Sequence, residues 1–104
     1  MKKVWILCGL PGSGKSTWAK EKTKDTGTVI INRDQLRIMM HGEYRYEKEH
    51  EGLNADLARS CLIDAVCGGF NVIVDETNIK SVKRKKLVDV IRECGQEVKI
   101  CFVW

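Results

Sequence analysis

Residues 3–24 read KVWILCGLPGSGKSTWAKEKTK, and this stretch decides the fold. The apolar run at 3–8 suits a buried strand, 17–24 suit a helix, and GLPGSGKS at 9–16 between them matches G-x-x-x-x-G-K-[ST]. That order, strand then glycine-rich loop then helix, is the context a phosphate-binding loop requires. Gly9, Gly12 and Gly14 permit backbone angles closed to other residues and let the main chain approach an anion. The cradle runs through Gly9, Pro11, Gly12, Ser13, Gly14, Lys15, Ser16 and Thr17. Its backbone N–H groups turn inward, Lys15 brings a compact charge to the β/γ oxygens, and the Ser16 hydroxyl completes a Mg2+ shell. The following helix aims its positive end at the same place. The expectation is a site for a nucleoside triphosphate; an accidental glycine-rich turn leaves Lys15, Ser16 and Thr17 in register unexplained.

The chain has 104 residues, room for one small domain with a core of four strands and their helices. A net charge of +4 tilts it toward anionic partners, a tilt that ATP alone satisfies. Five cysteines, an odd number without C-x-x-C spacing and four of them in apolar patterns, read as reduced thiols and a cytoplasmic setting. The basic, apolar start MKKVWILCGL resembles a signal peptide, but its apolar segment is short and passes straight into the loop. No run is long enough to cross a membrane.

Strand and helix patterns alternate without linker or repeat, which predicts an α/β fold with a four-stranded parallel sheet flanked by helices on both faces. TVII at 28–31 is the second strand, followed by NRDQLRIMM, a short helix capped by Asn32 or Asp34 and ending near Gly42. Residues 42–50 read as a loop or the approach to a helix. From about Glu47 to Cys67, Leu53, Leu57, Cys61, Leu62, Ala65 and Val66 recur at helical spacing, and Gly68-Gly69 stops the helix. Residues 70–74 form the third strand. Asn78 or Ser81 opens another helix, with Val82, Leu87, Val90, Ile91 and Cys94 on one face, and residues 97–104 form the fourth strand.

The third strand ends in VIVDETN. An acid at the C-terminal end of a buried strand beside a phosphate loop holds Mg2+, usually through water, and Asp75 is so placed. Glu76 is the competing acid, and a turn or cap role is the alternative for Asp75. Asp34 follows the second strand, on the sheet edge that carries the loop. It reads equally as a carboxylate orienting a hydroxyl near the γ-phosphate and as a helix N-cap. Arg37, three residues on, shares its helical face and can fork two bonds to a phosphate. Arg33 reads as a similar group or as a solvated one.

Over nearly its whole length the chain resembles the polynucleotide 5′-hydroxyl kinases of bacteriophages and of RNA and DNA repair, within the P-loop kinases. The resemblance rests on GLPGSGKSTWA at 9–19, INRDQLR at 31–37, YRYEKEHEG at 44–52 and DETN at 75–78. It implies a P-loop NTPase core with ATP and Mg2+ as cofactors and the 5′-hydroxyl end of RNA or DNA as acceptor. It makes Asp34 the base that takes the hydroxyl proton and Arg37 the clamp on the acceptor phosphate. Lys15 acts at the donor, and Ser16 and Asp75 hold the metal. Members of that family continue past the fourth strand into a lid carrying an arginine, then a fifth strand and an adenine-holding loop. This sequence ends at Trp104, so the expectation is a fragment or truncated product lacking both.

Lys80, Lys83, Arg84, Lys85 and Lys86 crowd the start of a helix without an acid among them. Cations there oppose the helix dipole by about 0.3–1 kcal/mol each. The cluster reads as a contact for nucleic acid or nucleotide, or as a solvated face. Tyr44 and Tyr46 are candidate base contacts, whereas Trp18 suits packing on the sheet. The last strand alternates Ile100, Phe102 and Trp104 with Lys99, Cys101 and Val103, an apolar edge open to self-association. Two other activities fit the same donor site: a module that binds nucleotide and nucleic acid without turnover, and a small-molecule P-loop kinase.

Overall fold

The computed structural model describes residues 2–8, 15–24, 27–43, 47–75 and 81–103, with Lys15 and Ser16 described in their backbone only. The elements alternate as expected: β1 (Lys2–Leu7), α1 (Lys15–Lys22), β2 (Thr28–Asn32), α2 (Arg33–His41), a 3-10 turn (Lys48–His50), α3 (Glu51–Cys67), β3 (Asn71–Asp75), α4 (Ser81–Glu93) and β4 (Val98–Val103). Strands β2, β3, β1 and β4 lie in that order in one sheet, and every pairing is parallel. The short, continuous apolar runs of β1 and β3 follow from burial on both faces, which removes the polar alternation of a half-exposed strand.

Side chains alternate across the sheet, so even and odd positions of β1 build two separate cores. Val4 and Ile6 join Val72, Val74 and Ile31 beneath Leu62 and Val66 of α3 and Ile91 of α4. On the other face Leu7 and Ile73 meet Ala19 of α1. There Trp18 packs edge-on to Trp5, with ring centroids 5.8 Å apart, and Lys22 places its ammonium 5.4 Å from the Trp18 ring centre. Trp18 is therefore a sheet-packing residue, as its helical position implied. The connections from β1 to β2 and from β3 to β4 run in opposite directions along the sheet, which puts α1 and α4 on opposite faces.

Several expectations need correction. Helix α3 starts at Glu51 rather than near Glu47, because residues 48–50 form the 3-10 turn. Its inward stripe is Asn54, Leu62 and Val66, while Leu53 is 53% exposed and Cys61 faces solvent. The first half of α3 packs beside the start of α2, where a polar Asn54 has a partner and a leucine has none. Val82, at the first turn of α4, is 67% exposed and outside the apolar face. Phe70 precedes β3 and stays exposed. Cys61 and Cys67 are both exposed, so fewer cysteines are core residues than their apolar neighbours suggested. Helix α2 ends as predicted at Gly42, whose φ of 75° is left-handed and whose N–H donates to the Ile38 carbonyl.

Candidate active site

Parallel register aligns Leu7 with Asp75 and Asp75 with Asn32, so three strand ends form one row across the sheet. Neighbouring strands lie about 4.8 Å apart, which brings the chain leaving β1, the carboxylate ending β3 and the start of α2 within roughly 10 Å. Strands β1 and β3 are neighbours whose onward connections diverge, and a crevice opens at the C-terminal ends of such a pair. Position alone therefore gathers Lys15, Asp75 and the first turn of α2 at one edge.

Asn32 ties this row together. Its backbone is extended, at φ −133° and ψ 118°, and its side-chain oxygen accepts from the N–H groups of Asp34 at 2.8 Å and Gln35 at 3.1 Å. The helix cap is thus Asn32, and the Asp34 carboxylate is left for another task. The other end of the Asn32 amide donates to Asp75 Oδ2 at 3.1 Å and fixes that carboxylate toward β2.

Asp34 and Arg37 meet directly: Arg37 Nη1 lies 2.6 Å from Asp34 Oδ1. The Asp34 side chain is 48% exposed and open to solvent, whereas Arg37 is only 16% exposed. Arg37 is held from behind by Glu51 at the start of α3, with Nη2 2.6 Å and Nε 3.0 Å from Oε1. Hydrogen bonds from Arg37 hold the Glu51 carboxyl below its ordinary value against the opposing effect of burial, and the charges of Arg37, Arg33 and His41 add to that lowering. Arg33 is not a solvated group: its side chain is only 18% exposed and lies 4.0 Å from Glu51. Its Nε donates to Oδ1 of the fully buried Asn54 at 2.5 Å, and the Asn54 amide returns a bond to the Arg33 carbonyl at 3.1 Å. A buried amide needs such partners, and this exchange locks α3 against the first residue of α2.

The family described as AAA domain matches residues 4–104. The chain belongs to that family. It is 31% identical over 94 residues to the L-seryl-tRNA(Sec) kinase of Methanococcus maripaludis, a match covering 86% of this chain and 36% of that protein. It is 33% identical over 100 residues to the 2′,3′-cyclic-nucleotide 3′-phosphodiesterase of Rattus norvegicus, covering 93% of this chain and 23% of the relative. Among solved structures, a chain of the Pnkp1/Rnl/Hen1 RNA repair complex superposes with a TM-score of 0.82 at 28% identity, over 97% of this chain and 32% of that one. The chain therefore spans about a third of the archaeal kinase and less than a quarter of the rat protein. The fold is the α/β P-loop kinase fold.

In this AAA domain the loop residues Gly9, Pro11, Gly12, Ser13 and Gly14, together with Glu76, Tyr44, Tyr46, Lys80 and Trp104, lie outside the described residues. Lys15 and Ser16 open α1, and Thr17 is exposed beside them. A cleft of about 510 Å3 adjoins Asp75 and Asn32, with Lys20 of α1 and Gln35 of α2 on its walls. Among the described residues no cluster of three or more acids, histidines and cysteines could hold a metal by itself. A single strand-end carboxylate suits Mg2+, which keeps several waters and takes further oxygens from substrate phosphates. No described helix is long and apolar enough to cross a membrane.

Glu51 and Asn54 complete the site beyond the residues singled out from sequence. Glu51 lies 14 positions from its partner, and only the packing of α2 on α3 brings them together. Of the two cap candidates on α2, Asn32 is the cap, and its second bond, to Asp75 across the sheet, is what a local cap pattern does not announce.

Proposed function

We propose that this AAA domain is the catalytic core of an ATP-dependent kinase that phosphorylates the 5′-hydroxyl end of RNA or DNA. The observation that carries this reading is the 2.6 Å pairing of Asp34 with Arg37 in the first turns of α2, on the sheet edge shared with Lys15 and Asp75. Lys15 and the loop amides would bind the triphosphate, and Ser16 and Asp75 would hold Mg2+. The metal, when bound, neutralises charge on the β and γ oxygens. Asp34 accepts the proton of the attacking hydroxyl, and Arg37 orients the acceptor through its neighbouring phosphate. Glu51 keeps the Arg37 guanidinium from swinging away. Likeness to an RNA-repair structure and to a kinase named for a tRNA-linked substrate supports a nucleic-acid acceptor over a free small molecule.

The test is incubation with γ-labelled ATP, Mg2+ and three acceptors: a 5′-hydroxyl oligonucleotide, the same strand with a 5′-phosphate, and free nucleosides. Label on the first alone, lost in Asp34→Asn, supports the proposal. Transfer to nucleosides alone makes this a small-molecule kinase, and strand binding without transfer makes it a binding module.

A further inference from the structure

A second groove, also about 510 Å3, runs between α3 and α4 on the sheet face opposite α1. Ile31 and Val74, each one residue before the strand-end pair Asn32 and Asp75, form its inner end. Leu62, Leu87 and Val90 complete an aliphatic floor. The rim carries Arg33, Arg59, Lys83 and Lys86 against Asp56 and Asp89. Asp56 is already paired with Arg59 at 3.2 Å, and both side chains remain mostly exposed.

Three features select the occupant. The volume lies within the roughly 300–1,000 Å3 of ordinary ligand sites, and the floor desolvates a flat apolar face. With Arg59 paired to Asp56 and Arg33 beside Glu51, the rim sets Lys83 and Lys86 against Asp89; Lys83 lies in the first turn of α4, where a cation opposes the helix dipole and an anion offsets that cost, and Lys86 follows one turn on. The groove also opens beside Arg33, adjacent in sequence to Asp34, while α1, the helix of the triphosphate site, covers the other face. A donor entering from the α1 side leaves the α3–α4 side to the acceptor.

The geometry points to this groove as the track for the acceptor strand: a single-stranded nucleic acid lays the base of its second or third nucleotide on the Leu62, Leu87 and Val90 floor and its backbone phosphates along Lys83 and Lys86. The assignment rests on the kinase reading for the direction of the strand and deepens it, because it says which face of the sheet carries the nucleotides that follow the 5′ end.

The test uses the 15N-labelled chain titrated with 5′-hydroxyl hexanucleotides of RNA and of DNA, beside a nucleoside 3′-phosphate. Hexanucleotide-specific amide shifts at Ala55, Arg59, Lys83, Lys86 and Leu87 are expected. Lys83→Gln with Lys86→Gln should lower the slope of log affinity against log salt by about 1.4, at 0.7 per lost phosphate contact. Ala55→Trp, at an exposed groove position, should weaken hexanucleotide binding and spare the nucleoside 3′-phosphate. Circular dichroism melts show whether each variant is folded, and Ala55→Trp remains decisive if the lysine pair misfolds. Shifts confined to α2, an unchanged salt slope, or displacement of the hexanucleotide by polyglutamate as effective as by unlabelled strand overturns the proposal. The RNA and DNA arms show which strand the track prefers. Strand binding in the groove without label transfer removes the kinase reading and leaves the track; transfer indifferent to all three substitutions does the reverse.

Discussion

Arg37 is gripped by Glu51 through two of its nitrogens, Nη2 and Nε, at 2.6 and 3.0 Å from one carboxylate oxygen, with Nε also 3.3 Å from the other. The grip has a cost in charge and a benefit in order. Both side chains are less than a fifth exposed, so neither is well solvated, and each satisfies the other. The guanidinium is thereby fixed in the plane from which Nη1 reaches Asp34.

Glu51→Gln weakens this grip by replacing charge-assisted bonds with neutral ones, so we expect a loss of about 1.5–3 kcal/mol in denaturant melts. The pH dependence has a definite sign. The folded carboxyl lies below its ordinary 4.5, so its contribution is whole above 4.5 and fades as pH falls through the lower folded value. The gap between wild type and Glu51→Gln should accordingly narrow under acid. A constant gap across that window would show that ionisation of Glu51 contributes nothing to folding. In a transfer assay the same variant should raise KM for the strand and leave KM for ATP unchanged, since Arg37 is displaced and Lys15 is not.

Asp34→Asn separates chemistry from architecture. The carboxylate is half exposed, so its pair with Arg37 is worth about 0.2–1 kcal/mol after solvent screening. Melting should move by only a few degrees. If Asp34 is the base, label transfer falls by about 10²–10⁴ at unaltered affinity for Mg-ATP. A rate within a factor of two of wild type would remove Asp34 from the reaction.

How far these residues are legible from sequence depends on the range over which each acts. The strands are legible because burial on both faces writes itself as a local apolar run, as in VIV at 72–74, and because the loop motif fixes the chain's direction. Asp34 and Arg37 are legible because one helical turn joins them. Glu51 is not, since its meeting with Arg37 requires the 3-10 turn at Lys48–His50 to deliver α3 against α2. The phase of α3 fails for the same reason. Leu53 looks like a core residue until Arg33 is found demanding Asn54 at the inner position, which turns Leu53 out to solvent. Tertiary polar pairing overrode the apolar period over one turn and left it intact at Leu62 and Val66.

Asn32 performs two tasks that substitution can divide. Asn32→Ala removes both the cap on α2 and the donor to Asp75, and the cap alone is worth about 1 kcal/mol. That corresponds to roughly 4–8 °C in a domain of this size. Asn32→Ser keeps a capping oxygen and loses only the Asp75 donor, so its melting temperature should fall between wild type and Ala. Asn32→Asp also keeps the cap but sets one carboxylate against another. Like charges raise each other's pKa, so this variant should be least stable relative to Ser near neutrality and recover as acid protonates the pair. If Asp and Ser track each other at every pH, Asp75 and position 32 do not interact in solution.

Just past the end of α4, the Cys94 thiol donates to the Val90 carbonyl at 3.3 Å. Burial pushes this thiol above its ordinary 9.0, and the neighbouring Cys67, by charge and by hydrogen bond, and then Glu93 push it further. Less thiolate means slower alkylation, because the thiolate is the nucleophile. Iodoacetamide near neutrality should therefore modify the exposed Cys61 well before Cys94, as read by mass spectrometry of timed digests. The same shift carries a stability signature. Below 9.0 both folded and unfolded thiols are protonated and the contribution is intact; above it the unfolded thiol ionises first and stability drains away toward the folded value. Cys94→Ala should flatten that alkaline decline, and a decline equally steep in the variant would assign it to other groups.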